Sequence, residues 1–144
     1  MLSLLPPSTN ADYQGASISP LFLLLTAIMT LVPGLIHSFL PDGGAGVIAH
    51  LDMGNRRDLV IAVFRWEGST QLALGLGLLA IALRYQTLTA LGLALVIVER
   101  GLVTLHAWVL GPAGGHHPPE HFASPVSVIL CLIFLTLSLR KPRA

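Results

Sequence analysis

The sequence predicts an all-α fold, an integral membrane bundle of four transmembrane helices, on three observations. Of the 144 residues 53% are hydrophobic and 10% charged, against about 25% charged in soluble domains. Mean hydropathy is +0.77. Four apolar runs approach or exceed the roughly 20 residues that a hydrocarbon core of about 30 Å requires. The chain reads as one transmembrane domain, 1–144, with spans at about 20–40, 59–83, 88–110 and 122–140.

The first span follows Ser19-Pro20, a capping hydroxyl before a proline suited to a helix start. Pro33-Gly34 should kink it, because proline removes a backbone donor and clashes with the preceding turn. Pro41-Asp42-Gly43-Gly44 should end it. The second span runs uninterrupted to Leu83. Thr87 is the expected cap of the third, and Gly111-Pro112-Ala113-Gly114-Gly115 its stop. The fourth apolar stretch, 125–139, is short, with Ser124-Pro125 as its start signal; residues from Glu120 or His121 would lengthen it through the headgroup region.

Four spans put both termini and the Tyr85 loop on one side, with Arg84, Arg140, Lys141 and Arg143. The other side carries Arg56 and Arg57. The positive-inside bias then places both termini in the cytoplasm and the His-rich loops outside, in a membrane expected to be the bacterial cytoplasmic one. No Lys or Arg precedes the short Leu4-Leu5 stretch, so the N-terminus is expected to be uncleaved. A weak echo relates Leu40-Pro41-Asp42-Gly43-Gly44 to residues 110–115, with His37 and His106 upstream of each. Such an echo would fit an old duplication of a helix pair.

Composition also excludes some classes of function. Eight Lys/Arg against seven Asp/Glu give a net charge of +1, with no basic block to grip a nucleic acid. Cys131 is the single cysteine, which rules out an internal disulfide and a thiolate metal cluster. No nucleophile sits beside a base, and no glycine loop is built for phosphates.

Charges inside the bilayer cost on the order of 2.5 to 3.5 kcal/mol each, so their positions are informative. Arg65 and Glu67 on the second helix and Glu99 and Arg100 on the third lie at comparable depths, roughly 10 to 17 Å from the helix ends. Two readings follow. In one, Arg65 pairs with Glu99 and Glu67 with Arg100 in a neutral network locking the two helices together. In the other, these residues with Gln71 and His106 line a polar ligand or proton site. Arg65 and Glu67 are about 200° apart on one helix, so one must face elsewhere.

All six histidines fall in the predicted outer half. His116, His117, Glu120 and His121 could supply imidazole and carboxylate ligands to a divalent metal, completed by His37, His50 or His106. Two prolines within that stretch argue for an extended turn, and the alternative is a loop whose histidines face water or cap helix ends. Trp108 and Tyr85 read as interface anchors at opposite ends; Trp66 is deeper and flanks both charges of its helix. Gly68, Gly75 and Gly77, with Ala90, Ala94 and Gly101, would let helices approach closely.

The stretch Gly68-Ser69-Thr70-Gln71-Leu72-Ala73-Leu74-Gly75, after a helix and a Gly-rich loop, resembles the second-helix signature of the DoxX-like family of small four-helix membrane proteins. The resemblance covers roughly residues 31–110. Family members commonly carry glutamate where this chain has Gln71, and often lysine where it has His37. The resemblance implies the four-helix fold; some members are associated with sulfur or thiol oxidation and quinone-linked electron transfer.

The sequence thus favours a multi-pass membrane protein acting as a non-enzymatic subunit or small-molecule-binding component with a polar pocket in its outer half. The alternatives are a membrane-embedded oxidoreductase acting on a lipophilic substrate such as a quinone, with or without a metal, and a small dimeric transporter. Expected partners are the lipid bilayer and either further copies of the chain or subunits of a membrane complex.

Overall fold

A computed structural model describes residues 4–111 and 116–140. Four long helices account for most of them: α1, Ile18–Phe39; α2, Arg57–Arg84; α3, Thr89–Leu105, continued by a π-helical turn at His106–Leu110; and α4, Pro119–Leu139. All four are long and apolar enough to cross a membrane, and they mark an integral membrane protein. Short 3-10 turns at Asn10–Asp12, Gly54–Arg56 and Gln86–Leu88 complete the described elements.

The bundle is two helical hairpins. α1 packs along α2 and α3 along α4, while the hairpins touch one another more sparsely, through α1 with α4 and α3. Residues without bulk make the first hairpin tight. A Cβ added at Gly68 would stand 2.9 Å from the Gly34 carbonyl oxygen and from the His37 Cβ. The small residues on this seam are therefore packing positions, as the close approach of membrane helices demands. Gly68, Gln71, Gly75, Leu78 and Ala82 form the buried stripe of α2.

The apolar core of Leu23, Ala27, Leu78, Ala82, Leu93, Val96 and Cys131 fills one half of the bundle, the half nearer the termini. Phe22 and Phe134 stack there with ring centroids 4.0 Å apart, and the Ser19 hydroxyl donates to the Phe134 carbonyl across α1 and α4. The chain before α1 straps this end. The Ser8 hydroxyl and the Thr9 amide donate to the Arg84 carbonyl, and the Asn10 amide group to the Leu83 carbonyl. Arg84 and Tyr85 donate in return to the Pro6 carbonyl. These contacts supply partners for the last carbonyls of α2, which no intrahelical N–H can reach.

Three helix starts differ from the expectation. α1 begins at Ile18, with Ser17 before it, so Ser19 and Pro20 lie inside the first turn. Proline is accommodated there because first-turn amides have no intrahelical acceptor in any case. α3 begins at Thr89 after a 3-10 turn, and Thr87 donates to the Thr9 hydroxyl instead of capping. α4 begins at Pro119, which takes the first helical position, leaving Pro125 within the helix. Pro33 likewise lies inside a continuous α1. Of the expected stop of the third span at 111–115, Gly111 does follow the last helical residue, while 112–115 and the basic residues Lys141 and Arg143 lie outside the described residues.

Candidate functional site: a cavity between the hairpins

The half of the bundle away from the termini holds a cavity of about 560 Å³, within the range of small-molecule sites. Every helix contributes to its wall. Met29, Pro33 and Ile36 of α1, Phe64 of α2 and Val96 of α3 give it an apolar body. Glu67, Arg100, Glu120 and the imidazoles of His37, His116 and His121 supply the polar part. A smaller recess of about 310 Å³ lies at the strapped end, lined by Asp12, Tyr13 and Arg140 among others.

The first loop roofs the cavity through the local chemistry of Asp42. Its carboxylate accepts the amides of Gly44, Gly46 and Val47 at 2.8, 3.0 and 2.9 Å. The amides of Val47, Gly44 and Gly46 hold the carboxyl below the ordinary aspartate range. Gly43 and Gly44 adopt positive φ, +63° and +80°, a conformation that side chains resist. The turn they make carries Gly44, Ile48 and Ala49 to the cavity wall. His37 is fixed beneath this loop. Its Nδ1 is 2.6 Å from the Gly43 carbonyl oxygen, and its ring meets Phe64 edge-on at 5.0 Å.

The charge network differs from the expected pairs. Arg100 bonds Glu120 of α4, Nη1 to Oε1 at 2.6 Å, and contacts its neighbour Glu99 at 2.9 Å. The Glu99 oxygen has no partner at hydrogen-bonding angles, so that contact is Coulombic. Arg65–Glu99 and Glu67–Arg100 are not formed: among the described residues Arg100 makes the only carboxylate pairs, and both tie α3 or α4. The physical reason is topology. α2 pairs with α1, so the partner facing Arg100 comes from the other strand of its own hairpin.

Glu67 instead accepts a hydrogen bond from the Gln71 side chain at 3.2 Å, one helical turn along. Gln71 is only 4% exposed and sits in the α1-facing seam. Arg65 points outward, as does Trp66, which is 72% exposed. His106 is also on the outer surface, its Nδ1 2.8 Å from the Leu102 carbonyl oxygen of its own helix. Of the six residues singled out as a polar site, Glu67 and Arg100 therefore line the cavity, Glu99 and Gln71 adjoin them, and Arg65 and His106 do not.

The histidines between α3 and α4 are drawn into different contacts. His116 bonds the Ala49 carbonyl through Nε2 at 2.7 Å. His117 stacks on Trp108 at 4.5 Å and meets His121, Nδ1 to Nδ1, at 3.0 Å. Glu120 is held by Arg100. Among the described residues no three His, Cys, Asp or Glu side chains converge as a metal set. Trp108 also donates through Nε1 to the His121 carbonyl at 2.7 Å. That carbonyl lacks its usual intrahelical donor because residue 125, one turn on, is proline. The π-helical turn and the internal proline thus fit each other.

Three hydroxyl residues of the wall were missed as site candidates: Thr26, Thr30 and Ser127. Thr26, Thr30, Pro33 and His37 recur at intervals of four, three and four along α1. That spacing marks one helical face and was readable as a stripe interrupting an otherwise apolar helix. No family model, curated protein or solved structure matches the chain.

Proposed function

We propose that this protein is a small-molecule-binding component of the membrane whose ligand occupies the cavity between its two hairpins. The carrying observation is the cavity itself: about 560 Å³, lined by residues of all four helices, apolar along its body and carrying Glu67, Arg100 and Glu120. Polar groups at membrane depth are costly unless they serve a partner, and a mostly apolar wall with a few convergent polar groups is the usual form of a ligand site. The half of the bundle near the termini holds the apolar core and only a smaller recess of about 310 Å³ beside the strap.

The ligand is expected to be amphipathic, with its polar end at Glu67 and Arg100. The excess of Lys and Arg on the side of the termini supports both termini in the cytoplasm of a bacterial cell, which would put the cavity in the outer half of the membrane. The outward Arg65 and Trp66 on α2 leave that face to lipid or to another subunit. The DoxX-like resemblance rests on residues 68–75, whose buried glycines serve helix packing, so it supports the fold of this reading more than an activity.

The test is native mass spectrometry of protein extracted gently from its own membrane, compared with an Ala123→Phe variant that narrows the cavity from its α4 wall. The reading predicts a reproducible small-molecule adduct on the wild type that the variant loses while keeping its thermal transition. An adduct retained equally by both places the ligand elsewhere and refutes the proposal.

A further inference from the structure

The hydrogen-bonding capacity left on the cavity wall identifies the class of ligand. Each lining hydroxyl has only one proton to give. Thr26 gives it to the Phe22 carbonyl at 2.9 Å, Thr30 to the Thr26 carbonyl at 2.9 Å, and Ser127 to the Ala123 carbonyl at 2.9 Å. All three hydroxyls are then left as acceptors. The two imidazoles bonded to carbonyls follow the same logic, since a carbonyl oxygen can only accept. His37 must donate through Nδ1 to Gly43 and His116 through Nε2 to Ala49, so in the neutral rings the other nitrogen of each is an acceptor. Pro33 removes the amide that would normally bond the Met29 carbonyl, and both residues line the cavity.

Charge points the same way. Glu67, Glu99 and Glu120 face or adjoin the cavity with Arg100 as the one guanidinium among them, and that guanidinium is engaged by Glu99 and Glu120. Glu67 is left with the neutral Gln71 amide as its side-chain partner. The wall therefore offers many acceptors, one carboxylate that makes no ion pair among the described residues and an apolar body about the size of a small organic molecule.

Building on the reading of the cavity as a ligand site, we propose that its occupant is a protonated amine on an apolar body, with Glu67 as the counter-ion. An ammonium group donates every hydrogen bond it makes and carries the charge that the carboxylates lack. A quinone, whose oxygens only accept, finds few side-chain donors among the described lining residues: the remaining N–H groups of Arg100 and one nitrogen of His121.

The experiment compares two probes that share one apolar body, adamantan-1-amine and adamantan-2-one, by calorimetric titration of the detergent-purified protein at pH 7. The amine is expected to bind saturably and at least about tenfold tighter than the ketone. Glu67→Gln should abolish that preference by weakening the amine while leaving the ketone unchanged. Thr30→Val, which removes one acceptor at nearly constant volume, should weaken the amine severalfold and serves if Glu67→Gln does not fold. A ketone that binds as tightly as the amine overturns this inference while leaving a ligand site in place, because a Glu67 that holds a proton would donate to it. Failure of both probes to bind overturns the ligand site as well.

Discussion

The two ends of the bundle use the same kinds of side chain in opposite ways. At the strapped end, Ser8, Asn10, Arg84 and Tyr85 spend their donors on backbone carbonyls of other segments, so polar groups tie elements together. At the cavity end, Thr26, Thr30 and Ser127 spend theirs on their own helices, which leaves acceptors facing a space. The first arrangement closes the fold and the second keeps a hole in it. Burying polar groups is costly unless they are hydrogen-bonded, so an outside donor of the kind proposed would find unused acceptors in the cavity.

Four substitutions can break or sharpen this contrast. The largest expected effect is at Arg100, which is 11% exposed and holds α3 to α4 through Glu120. Arg100→Met leaves Glu99 and Glu120 without a cation and should cost about 2 to 4 kcal/mol; the lower part of the range reflects a Glu120 that is 34% exposed. Denaturant unfolding in detergent reads this loss, and adding Glu120→Gln should recover part of it in a double-mutant cycle.

Gly68→Leu comes next. A side chain there meets the Gly34 carbonyl, Ser38 and His37, and forcing α1 from α2 should cost about 1 to 3 kcal/mol by the same assay. Gly77, which has no atom within 4 Å of an added Cβ, should accept Gly77→Ala with little change and serves as the control.

A smaller effect, with a diagnostic pH dependence, is expected at Asp42. Its folded-state pKa is depressed by the Val47, Gly44 and Gly46 amides. The stability it contributes is therefore fully present above the ordinary aspartate value of about 4 and is lost as pH falls from there through the folded-state value. Asp42→Asn should be less stable than the wild type at pH 7, and the difference should shrink as unfolding is measured at progressively lower pH. A gap that stays constant down to pH 2 would show that the carboxylate charge is not what holds the loop. The smallest effect is at the strap. Asn10→Ala removes an exposed hydrogen bond to Leu83 and a part-buried one from Gln86, and should cost about 0.5 to 1 kcal/mol without altering the proposed ligand binding at the other end.

Much of the fold was legible because lipid imposes simple rules. Apolar run length gave all four helices, and the glycines of residues 68–75 were read as packing positions before their neighbours were known. Helix starts were less legible, since Pro20 and Pro125 tolerate positions one to several residues inside a helix and Ser-Pro is an ambiguous boundary. The site was legible in part. Glu67 and Arg100 stood out as charges in an apolar context and do line the cavity. Their partners did not follow from depth alone, because depth says nothing of which helices pair: Glu120, read as a loop ligand, proved to be the carboxylate that faces Arg100. Arg65 and His106 sit at suggestive positions in the sequence, yet a helix's outward face is fixed only when its neighbours are known. The acceptor character of the wall was hidden entirely, because it depends on where each hydroxyl and imidazole proton goes.

Ligand binding at the cavity end and none at the strapped end is the central proposal. Photolabelling with a primary amine that carries a diazirine, mapped by peptide mass with and without excess adamantan-1-amine, tests this most directly. Competed adducts should fall on residues 26–37, 44–51, 64–67, 96–100 and 116–127. Adducts confined to residues 6–16 and 83–90, or adducts that excess amine does not displace, would contradict it.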